Sequence, residues 1–330
     1  MQRILSGIQP SGELHIGNYL GAIKNWVKLQ NDSKNDCFFF IADYHSITEN
    51  YDPKKKPAEI LNLAVDLMAI GLDPEKSVIF QQSQISGHAD LAWIFNTLVK
   101  TAELERMTQF KDKALSQKQN INMGLFDYPV LQAADILIYK TNAVPVGEDQ
   151  VQHLELTRDI AHRFNEKFGK TFPEPKPFLT ETPRIMSLFD PTKKMSKSGG
   201  EKSYIALADS PEIIKEKIKS AVSDAGGGQD KRGGENLLAI FEAFAETKDE
   251  KSEYSNYKRH HKEGTLKYAE FKPALAELIA NHFADYRAKR AELSKNSDHI
   301  KEILADGNKK ASAIAEATLE EVKQKLGLII

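Results

Sequence analysis

Apolar positions fall into two alternating rhythms over the first hundred residues. Short runs at Arg3 to Ser6, Cys37 to Asp43 and Val78 to Gln81 are each followed by a longer stretch beginning near Ile16, Lys54 and His88. The runs have strand length, and the longer stretches repeat apolar residues at helical spacing. Strands alternating with helices predict an α/β fold built on a parallel sheet, with ligands held beyond the carboxyl ends of the strands. After Glu103 the pattern becomes mostly helical, through Thr108 to Lys118, Pro129 to Tyr139 and Gln150 to Phe168, with a strand-like Val144-Pro145-Val146 between the last two. A Pro-rich connection follows at Pro173 to Pro183. From about Pro211 onward Leu237, Ile240, Phe241 and Phe244 mark a further helical region, which Gly226-Gly227-Gly228 and Gly233-Gly234 are expected to interrupt with a mobile loop. The expected organisation is a parallel-sheet domain over 1–200, with a helical insertion at about 103–173, and an all-α domain over 201–330.

The chain's 330 residues suffice for a sizeable core, and no internal repeat or low-complexity tract breaks it. A formal net charge of -2 excludes non-specific coating of nucleic acid and leaves local basic patches open. The single cysteine, Cys37, adjoins Phe38-Phe39-Phe40-Ile41, which excludes internal disulfides and Cys-rich metal sites and predicts a buried thiol. With no apolar leader and no run of membrane-span length, the chain is expected to work in the cytoplasm.

The chemistry starts in SGIQPSGELHIGNYLGA, Ser6 to Ala22, where four glycines, a proline and a histidine stand between a strand and a helix. Such turns bring backbone close to phosphate at a helix N-terminus. Gly7 and Gly12 have P-loop spacing, but Glu13 and Leu14 stand where Lys and Ser/Thr should follow, and no G-x-G-x-x-G is present. The neutralising cation must therefore come from elsewhere. DPTKKMSKSGG, Asp190 to Gly200, offers it: Lys193, Lys194 and Lys197 share a polar segment with Ser196 and Ser198 between a turn and a glycine pair. Taken alone, that segment reads first as solvated surface, as most Lys-rich loops do.

His15-Ile16-Gly17-Asn18 resembles the HIGH signature, and Lys194-Met195-Ser196-Lys197-Ser198 matches the KMSKS signature, of class I aminoacyl-tRNA synthetases. ELERMTQFK, AADILIY, VPVGEDQVQHLELTRD and RIMSLFDPTKKMSKS narrow the resemblance to the bacterial tryptophanyl-tRNA synthetase family. It runs through nearly the whole chain and thins after about Ser203.

The resemblance implies a Rossmann-like catalytic domain, a helical C-terminal domain that binds the tRNA anticodon, and a homodimer with its interface in the insertion. It further implies ATP and tryptophan as substrates, Mg2+ on the phosphates, tRNA(Trp) as partner, and no DNA or membrane. His15, Asn18, Lys194 and Lys197 are the implied catalytic groups. ATP would meet Gln9, Pro10, Ser11, Gly17, Asn18, Gly147, Glu148, Asp149, Ile185 and the signature residues Lys194, Met195, Ser196, Lys197 and Ser198. Tryptophan would meet Asp135, Tyr128, Gln150, His45, Leu5 and Gln132, the last two departing from the family's Phe and Met. No side chains are expected to form a metal site.

Asp135 bears most on substrate choice. It sits in Ala133-Ala134-Asp135-Ile136-Leu137, where an ionised carboxylate needs a partner. Indole N–H, a donor without acceptor function, would be such a partner, and a Lys or Arg ion pair is the structural alternative. Helix capping is the alternative for His15 and Glu148, a core aromatic for Tyr128, and a solvated helix face for Lys111 and Lys113. Clusters at Lys258-Arg259-His260-His261-Lys262 and Arg287 to Arg290 could contact RNA phosphates. Rival readings are a tyrosine-specific synthetase, a small-substrate nucleotidyltransferase with the same signatures, and a non-catalytic descendant.

Overall fold

The computed structural model describes residues 1–108, 110, 121–147, 150–179, 184–224 and 230–329. Lys111, Lys113, most of the Thr108 to Lys118 stretch, Glu148, Asp149 and Gly226 to Gly228 lie outside the described residues.

The chain forms two compact units, one of residues 1–12, 26–180 and 294–330, the other of 13–25 and 181–293. The first is built on five parallel strands: β1 (Gln2–Ile8), β2 (Asn35–Ile41), β3 (Ser77–Gln81), β4 (Ala143–Val146) and β5 (Lys176–Leu179), in the order β3-β2-β1-β4-β5. Register is set by Ile4 against Cys37, Cys37 against Ser77 and Val144 against Pro177. This order reverses between β1 and β4, so the crevice for a ligand lies past Ile8 and Val146. Helices α1 (Lys56–Ala69), α2 (Gly87–Asn96), α3 (Met123–Ile138) and α4 (Val151–Phe168) pack around the sheet. Their buried residues join those of the strands in one core containing Phe38, Phe80, Phe95, Leu137 and Phe164. Cys37 lies within it, 1% exposed, as the apolar neighbours predict.

Two local expectations change. The Pro-rich connection holds strand β5, because an edge strand tolerates proline where a central one does not. Gly233 and Gly234 are buried in a helix, Arg232–Phe244, rather than placed in a loop. A side chain at Gly234 would collide with the Tyr268 hydroxyl, so close packing accounts for this glycine.

The chain is also divided differently from a cut at residue 200. The long C-terminal helix, Ser297–Lys325, belongs to the first unit and covers the edge strand β3. Asn308 Oδ1 accepts the Gln81 N–H at 2.8 Å, satisfying an edge donor, and Ala311, Ala315, Leu319 and Val322 enter the core. Helical periodicity reveals such an apolar stripe but not the surface it covers.

In the second unit, α5 (Pro211–Ser220), α6 (Arg232–Phe244), α7 (Lys248–Glu263), α8 (Tyr268–His282) and α9 (Ala284–Leu293) form a helical assembly. The helix expected after the opening loop begins as Ile16–Asn18, widens to a π-helical turn at Tyr19–Ile23 and continues as Lys24–Gln30. Tyr19 fixes its start here, stacking on Phe244 and bonding His282 Nε2 at 2.9 Å.

Gly307 supplies a stability test. A Cβ there would collide with the Ile79 carbonyl oxygen. Alanine ordinarily favours a helix interior over glycine by about 1 kcal/mol, whereas overpacking against backbone costs about 1–3 kcal/mol. Gly307→Ala is therefore expected to lower the urea or thermal unfolding midpoint, opposite in sign to its helix propensity.

Candidate active site

The second unit brings together the two signature segments. Leu14 to Ile16 and Ile205 to Leu207 join through Ile16 N–H to Ile205 O at 3.0 Å and Leu207 N–H to Leu14 O at 2.9 Å. The lysine segment is held by a short hairpin, in which Ser187 N–H donates to Lys193 O and Met195 N–H to Ile185 O. Ile185 and Met195 are buried, which anchors a segment whose Lys194 and Ser198 remain exposed. Ser196 and Ser198 pair through their hydroxyls at 2.8 Å, and Lys197 Nζ donates to Glu13 O at 3.1 Å. A lysine 184 positions along the chain thus reaches the His15 segment.

His15 caps the helix that follows it. Its Nδ1 accepts the Gly17 N–H at 3.1 Å, and its own N–H donates to Asn18 Oδ1 at 3.1 Å. A backbone amide can only donate, so Nδ1 is the acceptor and Nε2 carries the proton. Burial, then the charges of Lys197 and Lys194, lower the imidazole pKa to about 4. His15 is therefore a neutral donor beside two ammonium groups. The capping alternative and the catalytic reading coexist, since the cap uses Nδ1 and leaves Nε2–H.

The first unit holds the pocket candidates Leu5, His45, Tyr128, Gln132, Asp135 and Gln150. Asp135, 1% exposed on α3, pairs with no Lys or Arg among the described residues. His45 Nε2 lies 2.7 Å from Oδ2, while Gln82 Nε2 and His88 Nδ1 reach Oδ1 at 2.8 and 2.6 Å. Burial alone would raise the carboxyl pKa, and the two histidines outweigh it and hold the group well below the usual range. Gln82, His88 and Tyr139 were not singled out from the sequence. The available signal was a buried carboxylate needing donors, but their separations of 53 and 47 residues hide the pairing until the fold brings the segments together.

Around this cluster, Tyr128 bonds His153 at 2.9 Å and packs edge-on to His45, with ring centroids 6.4 Å apart. Gln132 Nε2 donates to Gln150 Oε1 at 3.4 Å, which places these two candidates together. Leu5 is buried in the core. Gln9, Pro10 and Ser11 follow β1, where Lys56 Nζ donates to Pro10 O at 2.9 Å, and Gly147 follows β4. Among the basic clusters, His261 is buried 2.9 Å from Asp224 and Arg287 donates to Ala280 O, so both have structural partners.

The parallel sheet and the paired His and Lys signatures fit a synthetase that uses a nucleotide to activate its substrate. A family model described as tRNA synthetases class I (W and Y) matches residues 1–284, and the chain belongs to that family. The tryptophan–tRNA ligase of Caldanaerobacter subterraneus subsp. tengcongensis is 45% identical, covering 100% of this chain and 99% of the relative. That of Wolinella succinogenes is 44% identical over 99% of both. A crystal structure of Campylobacter jejuni tryptophanyl-tRNA synthetase, complexed with ADP and tryptophan, has a TM-score of 0.84 and 37% identity, covering 99% of this chain and 100% of its own.

The His15 geometry has a pH consequence. Its folded-state pKa lies below the unfolded value of about 6.5, so the unfolded chain takes up the proton first. The stability associated with the neutral ring is complete above about pH 6.5 and is lost as pH falls through about 4. In an NMR titration the His15 ring signals are expected to stay constant from pH 8 to 5, and Lys197→Ala should move their midpoint upward.

Proposed function

We infer that the protein activates tryptophan with ATP and transfers it to tRNA(Trp). A tryptophan carboxylate oxygen forms a bond to the α-phosphorus, and the bond to pyrophosphate breaks. A hydroxyl of the terminal adenosine of tRNA then attacks the activated carbonyl and AMP leaves. The carboxylate is already ionised at neutral pH, so the first step needs alignment and positive charge rather than a general base. The observation that carries this reading is Lys197 Nζ at the Glu13 carbonyl, beside a neutral His15.

In the proposed assignment His15 and Asn18 donate to the phosphates, and Lys194 and Lys197 bring charge for the transition state and the leaving group. Gln9, Pro10, Ser11, Gly17, Gly147, Ile185, Met195, Ser196 and Ser198 surround ATP, with Glu148 and Asp149 on the ribose. Gly17 leaves backbone open: a Cβ there would sit 3.0 Å from the His15 ring. Mg2+ would accompany the triphosphate through phosphate oxygens; the described residues contain no cluster of three or more metal-ligating side chains. Asp135 accepts the indole N–H, Tyr128 and Gln150 hold the ammonium, and His45, Leu5 and Gln132 line the pocket.

Helices α5 to α9 are proposed to receive tRNA. Met123, 73% exposed at the start of α3 within the insertion, is proposed to meet a second copy in a homodimer. No helix among the described residues is long and apolar enough to cross a membrane. The cytoplasm, where tRNA is charged, is the proposed place of action. The identity of the relatives favours tryptophan over tyrosine, and the helical region exceeds what a small-substrate nucleotidyltransferase needs.

Pyrophosphate exchange into ATP is expected with tryptophan and not with tyrosine or phenylalanine. Exchange with tyrosine alone would establish the tyrosine reading, and none with any amino acid would establish a non-catalytic protein. Lys197→Ala should lower kcat for activation by roughly 100-fold or more while leaving the tryptophan KM within about threefold. Equal losses in both would remove Lys197 from transition-state stabilisation.

A further inference from the structure

The donors around Asp135 can be counted. An ionised carboxylate offers about four acceptor directions, two on each oxygen. Gln82 and His88 take both on Oδ1, and His45 takes one on Oδ2. Among the described residues one direction is left, on Oδ2.

The orientation of each donor is fixed by the group behind it. Tyr44 N–H donates to Gln82 Oε1 at 3.1 Å, so the Gln82 amide must turn its NH2 toward Asp135. Tyr139 is fully buried, and its hydroxyl lies 2.8 Å from His88 Nε2. Burial pushes the phenol pKa up, which keeps it a neutral O–H donor. An ionised carboxylate only accepts, so His88 Nδ1 carries a proton, and a Tyr139 O–H that donates to Nε2 leaves that nitrogen as the acceptor.

We propose that Gln82, His88 and Tyr139 are positioning residues that set amino-acid specificity, holding the Asp135 carboxylate charged and in one plane so that a single Oδ2 direction faces the indole N–H. This rests on the tryptophan pocket proposed above. Phenylalanine has no ring donor to complete the set, and it leaves a charged acceptor unfilled. Were His88 to take a proton, the carboxylate's charge would be compensated internally and that discrimination would shrink. In the proposed arrangement the Tyr139 O–H occupies the Nε2 position where that proton would sit.

The groups facing His88 are few among the described residues. Asp135 and Tyr139 approach from α3 and its end, and the Phe40 and Phe80 rings from β2 and β3. His45 lies across the carboxylate. The C-terminal helix, which also packs on α2, directs Lys323 to Asp90 at 3.4 Å.

The test compares Tyr139→Phe, Gln82→Met and Asp135→Asn with the full-length wild type, by pyrophosphate exchange with tryptophan and phenylalanine between pH 6 and 8. Tyr139→Phe frees His88 Nε2. It is expected to lower kcat/KM for tryptophan by roughly 5- to 30-fold at pH 7, the difference between a charge-assisted and an ordinary hydrogen bond. Relative to wild type, the loss should deepen as pH falls. Gln82→Met should erode the preference over phenylalanine without that pH dependence. If Asp135→Asn abolishes the preference while the other two variants keep wild-type selectivity and pH profile, the positioning role is overturned and the pocket stands. If Asp135→Asn keeps it, pocket and positioning role both fall. Independently of any variant's folding, 15N-histidine NMR of the wild type should show His88 with a pyrrole-type Nδ1 and a pyridine-type Nε2, its signals assigned by their loss in His88→Gln. Two pyrrole-type nitrogens, or the reverse pattern, would overturn it.

Discussion

A carboxylate buried as deeply as Asp135 stays ionised only where donors replace its water, and the first unit is arranged so that they do. Its donors come from the segment after β2, the turn after β3 and α2, while the carboxylate itself comes from α3. Moving any one of these elements would strand a buried polar group, at about 1–3 kcal/mol for a neutral one and more for a charge. Holding this carboxylate and packing the sheet on its helices are therefore one constraint. Asp43 extends it by bonding the Ser83 amide and hydroxyl and the Gln81 amide, which fixes the turn that carries Gln82.

The positive half of the chemistry is built differently. Lys194 and Lys197 ride on a hairpin whose backbone is anchored by buried Ile185 and Met195, while their side chains stay at or near the surface. An ammonium placed deep in the fold would lose solvation before its phosphate partner arrived, and its pKa would fall. On an exposed segment it stays charged. Those same charges help keep His15 unprotonated, so the cluster divides its labour: lysines supply net charge, and the imidazole supplies a directed N–H without adding repulsion.

Much of this was legible in the sequence, for reasons specific to each element. Strands β1 to β3 are apolar runs between polar punctuation, and α2 to α4 carry strong helical periodicity, so both stand out without a structure. Strand β5 did not, because Pro177 and its flanking prolines read as connection, although at a sheet edge a missing N–H removes no central ladder bond. The C-terminal helix was visible as a helix, but its position over β3 depends on Gly307 and Asn308 meeting backbone far away in the chain. In the site, Asp135 was conspicuous as a lone acid in an apolar stretch. Among the described residues the fold supplies two imidazoles and an amide where the alternative reading has a Lys or Arg. Nothing local to Gln82 or Tyr139 announces that they stand behind it.

That choice of donors bears on the selectivity proposed for the site. A Lys or Arg beside Asp135 would stabilise the charge and at the same time satisfy it, leaving little for a substrate N–H to gain. Imidazole and amide donors stabilise the carboxylate through hydrogen bonds while leaving its net charge in place, so the remaining acceptor direction is still a charge-assisted one. In the proposed pocket, the energy of discrimination would reside in that remaining acceptor direction. Because the donors that define it are locked in the core, its orientation is set by the folded state of the first unit itself.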